Sequence, residues 1–294
     1  IGISYLDSSL VKNSNFVPLV RINYMTLTDA TICIASITDI VNKDANNVPT
    51  SIVNGCLAVP NTVALSPKVW LQGPYRAADQ LMRDDLRAGN YLPGTEPYTG
   101  LGYTHVVGGG ETVGNEVLQV TGPNAIVDWM VVELRMPTSP YTVVATRSAL
   151  LQRDGDIVGT NGTSPVVLNA APGNYLVSLR HRNHLGVMTL TPVALTNTPL
   201  EVDFRGGATS TYGNEAMRLE DGVWKMWSGN SNMITDPQGR QIIRYTGQDN
   251  DRDPILQVVG GVVPTGTVAG YYREDSNLSG VVKYTGQDND RDII

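Results

Sequence analysis

Residues 245–253 read Tyr-Thr-Gly-Gln-Asp-Asn-Asp-Arg-Asp, and residues 284–292 repeat all nine without a change. Nine identical residues at a separation of 39 positions do not arise by chance, so the C-terminal part of the chain contains a duplicated unit. Each copy carries three aspartates, an asparagine and an arginine in close succession. Charge at this density is held either by a cation or by backbone donors, and the sequence leaves both interpretations open.

The segment before the second copy resembles the first half of a calcium loop. Asp275-Ser-Asn-Leu-Ser-Gly280 has oxygen-bearing side chains at positions 1, 3 and 5 and a glycine at position 6. Position 12 is Gly286 rather than an acid, so an aspartate further along would have to complete the shell. The first copy is looser because an insertion interrupts it. We predict calcium ligands at Asp275, Asn277, Ser279, Asp288 and Asp290 in the second copy and at Asn230, Asn232, Asp249 and Asp251 in the first.

The same aspartates could instead cap turns and short helices. Asp253-Pro254 is followed by apolar residues and by Gly260-Gly261, which predicts a helix of one to two turns with Asp253 as N-cap. A ligand loop followed by a short helix is the half-hand arrangement of dockerin modules, so both interpretations can hold together. The second copy reaches Asp292-Ile-Ile294 where its helix should start, which predicts that the chain is a fragment of a longer polypeptide.

Composition and charge indicate a mainly β extracellular protein. Charged residues make up only 17% and Phe occurs twice, whereas Gly, Thr, Asn, Val and Pro are frequent. The net charge of −7 and the lack of a basic cluster argue against a nucleic-acid or anionic-membrane partner. No apolar run approaches the length of a membrane span.

The chain begins with Ile and without a signal segment, which predicts a mature or internal piece. Cys33 and Cys56 could form one disulfide or remain buried thiols.

Strand and turn signals predict three domains. Residues 1–65 form an N-terminal β module, in which Leu19–Leu27 alternates as a half-buried strand. The opening segment is either an ordinary first strand or an arm that adds to another subunit's sheet. Residues 66–205 hold about seven strands and one short helix at Asp79–Gly89, which predicts a β-sandwich of immunoglobulin-like or transthyretin-like type. Residues 206–294 form a small dockerin-like loop-helix repeat module.

Within the middle domain, three segments predict strands, and one dipeptide predicts a hairpin. Ile126–Arg135 is apolar enough for a central strand, Tyr141–Gln152 follows it, and Pro172–Arg182 alternates cleanly. Asp154-Gly155 is suited to the tight turn of a hairpin. We expect Trp70 and Trp129 in the core and Trp224 and Trp227 between the C-terminal module and the sandwich, although exposed tryptophans would offer a sugar-stacking platform.

Catalytic motifs are absent from the sequence, including Gly-x-Ser-x-Gly, His-Glu-x-x-His, phosphate loops and dinucleotide fingerprints. The polar run Arg180-His-Arg-Asn-His184 could hold a metal or an acidic ligand. We favour a hydrogen-bonded turn in which Arg180 or Arg182 pairs with Asp128 or Glu133. His105 precedes three glycines and Glu111, a run that predicts a flexible or tightly turned loop. The sequence therefore predicts a protein that is not an enzyme.

Residues 60–294 as a set resemble a known protein class, the C-terminal region of large secreted surface proteins of Bacteroidota, often described as haemagglutinin-like or adhesin-like. The resemblance is specific because many separate motifs fall in one order. Besides the two Tyr-Thr-Gly repeats, the motifs are Val69–Tyr75, Leu92–Tyr98, Gly109–Thr112, Ala125–Trp129, Arg147–Asp156 and Arg180–Gly186.

The resemblance implies an extracellular or cell-surface, non-catalytic protein with a dockerin-like calcium module, exported by the type IX route. Our leading hypothesis is a structural or adhesive subunit of a filament or adhesin. Such a subunit would self-associate by strand addition or contact other cell-surface proteins or glycans. The alternative is a carbohydrate- or partner-binding module of a secreted hydrolase, with the dockerin-like end as its anchor. In that family, the loop usually reads Asp-x-Asn-x-Asp-Gly, and here Ser279 replaces the carboxylate at the third ligand position.

Overall fold

The structure, a computed structural model, describes residues 61–236 and 241–294 together with the backbone of two short strands. These strands are β1 (Thr31–Cys33) and β2 (Cys56–Ala58), which pair antiparallel with Cys33 in register with Cys56. The predicted opening arm, the strand at Leu19–Leu27 and the question of a disulfide lie outside the described residues. The chain divides into two compact units, Ile1–Asn61 and Thr62–Ile294.

The second unit is mainly β, as the composition predicts. Its helices are α1 (Asp85–Ala88), α2 (Asn115–Leu118) and α3 (Arg252–Val258). Its strands are β3 (Val63–Lys68), β4 (Trp70–Leu71), β5 (Tyr75–Arg76), β6 (Leu81–Met82), β7 (Ile126–Arg135), β8 (Val143–Gln152), β9 (Ile157–Val158), β10 (Val166–Leu168), β11 (Gly173–Arg180), β12 (Val187–Met188), β13 (Val193–Leu195), β14 (Leu200–Asp203), β15 (Arg218–Glu220), β16 (Val223–Met226), β17 (Thr267–Ala269) and β18 (Val281–Lys283).

The largest sheet, which we call the main sheet, has the order β12-β11-β7-β8-β9, and β13 pairs with the other end of β11. All its pairings are antiparallel. The central strand β7 is buried along nearly its whole length because its residues are almost continuously apolar. The predicted strand Ile126–Arg135 is therefore confirmed. The hairpin predicted at Asp154-Gly155 is also confirmed, since it joins β8 to β9 with Gly155 at a φ of +89°.

Several small sheets surround the main sheet. A three-stranded sheet has the order β10-β3-β14, and another has the order β15-β16-β4. In the second of these, β16 comes from the predicted repeat module and pairs parallel with β4 of the predicted middle domain. The strand pairs β5-β6 and β17-β18 complete the described set. One hydrophobic core joins the main sheet to the two three-stranded sheets and includes Trp70 and Trp129, so the prediction that these tryptophans are core residues is confirmed.

The predicted helix at Asp79–Gly89 is only partly correct. Its last turn forms α1 and buries Leu86, but Leu81 and Met82 form β6 instead. Gln80 has a φ of +55°, which a right-handed helix cannot contain. The backbone of Met82 donates to the carbonyl of Arg153 at 2.8 Å and accepts from the Arg153 side chain at 2.7 Å. Tertiary hydrogen bonding has therefore overridden helix propensity there.

Candidate functional site

The duplicated nine-residue segments of the two acidic repeats have the same local backbone. We call residues 230–253 the first repeat and residues 275–292 the second repeat. Each has left-handed backbone at an equivalent aspartate, with φ of +56° at Asp249 and +54° at Asp288. A positive φ is unfavourable for aspartate unless local hydrogen bonds hold it. The duplicated sequence therefore imposes the same backbone path twice.

In each repeat, one buried aspartate ties the start of the loop to its end. The carboxylate of Asp290 accepts hydrogen bonds from the backbone N–H groups of Asn277 at 3.3 Å and Lys283 at 2.8 Å. Backbone donors therefore hold this aspartate, as the turn-capping interpretation expects. In the first repeat, the same two bonds, at 3.1 and 2.7 Å, join Asp251 to Asn232 and Arg244.

The two repeats differ at their first position, which is Asn230 in one and Asp275 in the other. Asp275 accepts hydrogen bonds from the backbone N–H groups of Ser279 at 2.9 Å and Gly280 at 2.7 Å. Asn230 is fully buried, and its amide oxygen Oδ1 has no hydrogen-bond partner. A buried oxygen without a donor is unfavourable unless a water or a cation meets it. This orphaned oxygen marks a place for such a ligand in the first repeat.

The second repeat concentrates negative charge away from solvent. Asp275 and Asp290 are both 0% exposed, and neither forms an ion pair with any residue in the described ranges. Burial and the nearby charge of Asp275 raise the pKa of Asp290 to about 8. Burial also raises the pKa of Asp275, and it raises that of Asp251 in the first repeat. Without a cation, these carboxylates are electrostatically unfavourable in their charged form.

The other predicted ligands lie at the edge of these clusters. The side chains of Asp249 and Asp288 are exposed, while their backbone carbonyls accept from the amides of Asn232 at 2.6 Å and Asn277 at 2.8 Å. Ser279 Oγ lies 3.4 Å from the Asp275 carboxylate and donates to a backbone carbonyl at 3.0 Å. In the described ranges, no three His, Cys, Asp or Glu side chains gather as a metal cluster. The available donors are therefore paired carboxylates, amides and backbone carbonyls.

The segment Arg180–His184, which the sequence predicts as a hydrogen-bonded turn, contacts the start of both repeats. The backbone carbonyl of Asn183 accepts from the N–H groups of Gly229 at 3.1 Å and Asn230 at 3.0 Å. Its side-chain amide donates to the carbonyls of Arg273 at 2.9 Å and Asp275 at 2.7 Å. Asn183 therefore contacts the two loop entrances at once. The sequence does not predict this role, since its only signal is an asparagine inside a dense polar run.

A buried ion pair anchors the same segment to the main sheet. Asp128 on β7 accepts from Arg182 Nε at 2.8 Å and from the hydroxyl of Tyr271 at 2.6 Å. The predicted pairing of Arg182 with Asp128 is confirmed, as is that of Arg180 with Glu133, at 2.6 Å. Arg182 and its hydrogen-bonding neighbours outweigh burial and lower the pKa of Asp128 to about 2. Arg182 also donates to the carbonyl of Tyr272, so one side chain links β7 to the entrance of the second repeat.

Two buried histidines complete this cluster. His181 Nε2 lies 3.1 Å from Asp128, and His184 Nε2 accepts from the backbone N–H of Gly73 at 3.3 Å. The ring Nδ1 atoms of the two histidines are 3.0 Å apart. Burial lowers the pKa of His181, and burial together with the neighbouring His181 and Arg182 lowers the pKa of His184 much further. Both rings are therefore neutral in the folded protein at neutral pH.

The His184→Gln variant is expected to lose less stability than the wild type when the pH is lowered from 7 to 5. Because the folded-state pKa is lowered, the unfolded chain takes up a proton below about pH 6.5 that the folded chain does not. The stability from this group is complete above that pH and is lost as the pH falls, at up to about 1.4 kcal/mol per pH unit. Gln keeps an acceptor for Gly73. Urea unfolding at pH 7, 6 and 5 measures the slope, and equal slopes in the two proteins would contradict this assignment.

The three-glycine loop is held by a second polar cluster. Glu96 is buried and accepts from the backbone N–H groups of Tyr98 at 2.7 Å and Gly110 at 3.1 Å. His105 lies between Glu96, at 3.5 Å, and the hydroxyl of Thr146, at 3.2 Å. Thr146 is fully buried, and its hydroxyl is bonded to both backbone groups of Val106. These side chains therefore fasten a turned loop onto β8.

In residues 61–236 and 241–294 and the two N-terminal strands, no helix is long and apolar enough to cross a membrane. Comparison of the chain with protein-family models, curated proteins and solved structures finds no match.

Proposed function

We propose that the protein is a secreted, non-catalytic structural or adhesive surface protein whose C-terminal repeats are locked in place by calcium. One observation carries the proposal. The second repeat buries the carboxylates of Asp275 and Asp290 without an ion-pairing side chain among the described residues, and the first repeat buries the partnerless oxygen of Asn230 at the equivalent position. A cation in each loop would neutralise the buried carboxylates of the second repeat and give the Asn230 oxygen of the first repeat a partner.

The donor chemistry favours calcium over other metals. The candidate ligands are oxygens, supplied by the carboxylates of Asp251, Asp275 and Asp290, by amides and by backbone carbonyls. Hard oxygen donors select calcium or magnesium, and calcium tolerates irregular shells of six to eight ligands. Bound calcium would compensate the buried negative charge, while Asn183 keeps the two loop entrances in register.

The proposal includes a finer description of the fold. A β-sandwich of immunoglobulin-like or transthyretin-like type is supported by the shared core, in which Leu65 of β3 and Leu168 of β10 cluster with Trp129 of the main sheet. A dockerin-like pairing is supported by a second, small core. In it, Ile255 and Val259, from α3 and the residue that follows it, pack with Val282 of the second repeat.

The alternative, a carbohydrate- or partner-binding module of a secreted hydrolase, is favoured by one observation. Trp224 and Trp227 are half-buried and line an open groove of about 480 Å³. In this alternative, the repeats would serve as the anchor of the module. A protein that adheres through glycans would use such a groove as well.

Thermal unfolding with calcium and with a chelator tests the calcium lock. A ligand that binds only the folded state stabilises it by about 2.7 kcal/mol at 100 times its dissociation constant. We expect the melting temperature to rise with calcium and to respond much less to magnesium, which demands a regular octahedral shell. A melting temperature indifferent to chelator would contradict the ligand assignment.

Particle size separates the two candidate functions. Light scattering or electron microscopy of the purified chain is expected to show polymers or defined oligomers if the protein is a filament or adhesin subunit. A monomer that binds glycans would favour the alternative.

A further inference from the structure

The strongest unassigned feature is a surface groove that runs beside the second repeat. One part, of about 480 Å³, is lined by Trp224, Trp227 and Arg218. A second part, of about 560 Å³, shares Trp227 and Arg218 and extends to residues 286–289 of the second repeat, of which 286–288 are exposed. The two parts adjoin at these side chains, and we call them together the tryptophan groove. Each part has the volume of a typical small-ligand site.

The aromatic end of the groove offers ring surface rather than hydrogen-bond donors. The indole N–H of Trp227 already donates to the carbonyl of Glu215 at 2.9 Å. Arg218 lies over the Trp227 ring at 5.1 Å and pairs with Glu220 at 3.0 Å, which fixes the ring position. Trp224 is half-buried against the core and lines the same wall. The rigid, half-exposed rings can therefore contribute apolar contact at little entropic cost.

The other end of the groove is polar and balanced in charge. Arg76 and Arg218 line it together with the acidic side chains of Glu220, Asp288 and Asp292. Two amide side chains, which both donate and accept hydrogen bonds, stand among them, namely Gln72 and Gln287. This mixture gives no uniform field to attract a strongly charged polymer. It suits a neutral ligand that is rich in hydroxyl groups.

We propose that the tryptophan groove binds a neutral oligosaccharide. Trp227 and Trp224 would pack against the apolar C–H faces of the sugar rings, and the amides, carboxylates and arginines would bind the hydroxyl groups. The inference rests on the proposed adhesive function and names the class of ligand for it. A peptide or an anionic glycan is a competing occupant that the experiment separates.

Trp227→Ala is expected to raise the dissociation constant for a neutral oligosaccharide about 10- to 30-fold, because truncation of a central tryptophan removes a dominant contact. The probes are neutral gluco-, manno- and galacto-configured oligosaccharides, with heparin fragments and an unfolded casein peptide as competitors. The matched control is Tyr245→Ala. Tyr245 is an exposed ring outside the groove that also lies under an arginine, Arg252, at 4.6 Å. This variant is expected to bind as the wild type does.

Titration of the unaltered protein keeps the test independent of variant folding. The indole N–H resonances of Trp224 and Trp227 are expected to shift on addition of the sugar, while those of the buried Trp70 and Trp129 stay in place. Binding of heparin or peptide alone, no binding of any neutral oligosaccharide, or shifts confined to other residues would overturn the proposal. Such a result would leave the calcium-dependent melting temperature untouched, so failure of the glycan inference is distinguishable from failure of the calcium lock.

Discussion

Asp275→Asn is expected to remove most of the stability that calcium confers on the protein. With calcium at about 1,000 times its dissociation constant, the wild type gains about 4 kcal/mol, whereas a 100-fold loss of affinity would leave the variant about 1.4 kcal/mol. In chelator, two effects oppose each other. The substitution removes one of two adjacent buried charges, but it also replaces one of the two carboxylate oxygens that accept from Ser279 and Gly280 with an amide N–H group, so the variant is expected to lie within about 1 kcal/mol of the wild type.

The first repeat supplies the reciprocal experiment. It already carries an asparagine at this position, Asn230, so Asp275→Asn gives the second repeat the first repeat's residue at this position. Asn230→Asp does the opposite by placing a second carboxylate near the buried Asp251. We expect it to lower stability in chelator and to increase the gain from calcium. The two substitutions are the reverse of each other and exchange side chains of the same size. Opposite changes in the stability gained from calcium would therefore be difficult to attribute to packing.

The control variant for both substitutions is Asp288→Asn. This carboxylate belongs to the second repeat but is exposed, so its loss is expected to change stability by less than about 0.5 kcal/mol with or without calcium. Calcium titrations followed by urea unfolding measure all four proteins. Equal calcium gains in wild type and Asp275→Asn would contradict the assignment of Asp275 as a ligand. Loss of the gain in Asp288→Asn would show that the ligand set uses the exposed carboxylates instead.

Local patterns in the sequence were sufficient to predict the long strands of the main sheet. The apolar run of Ile126–Arg135 and the Asp154-Gly155 turn appear in the structure where the sequence placed them. These features depend on neighbouring residues only, through burial of a continuous apolar strand and the backbone freedom of glycine. The helix predicted at Asp79–Gly89 was wrong over Leu81 and Met82, because hydrogen bonds to Arg153 decide that segment. A contact across so many residues is invisible to a local pattern.

The candidate site was predicted by residue type but not by arrangement. Spacing drew attention to Asp275 and Asp290, and the structure buries both. It treated Asp288 as equivalent to them, although a left-handed backbone turns this side chain out to solvent. Spacing also gave no reason to single out Asn183, because its role depends on the two repeats meeting at one point in space. Alternate positions in a loop show which residues can share a face, but only tertiary structure shows which faces meet.

Asp128→Asn is expected to destabilise the protein by about 3–5 kcal/mol, because it leaves the guanidinium of Arg182 buried without its counter-charge. Asp128 is 0% exposed and Arg182 1% exposed, so solvent cannot replace the lost partner. The pKa of about 2 for Asp128 adds an acid dependence. Its stabilisation is present above about pH 4, the ordinary value for aspartate, and is lost as the pH falls toward 2. Denaturant unfolding of wild type and variant at neutral pH measures the difference.

A surface pair of the same chemistry provides the matched control for this substitution. Asp203 and Arg205 are 2.9 Å apart, close to the 2.8 Å of Asp128 and Arg182, but both side chains reach solvent. Asp203→Asn is expected to cost no more than about 1 kcal/mol, since solvent reaches this half-buried pair and screens its charges. Adding Arg182→Met to Asp128→Asn should recover part of the loss by removing the stranded charge. Equal losses of unfolding free energy at the two pairs would show that burial does not strengthen the ion pair of Asp128 with Arg182. The Asp128 cluster would then not fasten the second repeat to the main sheet.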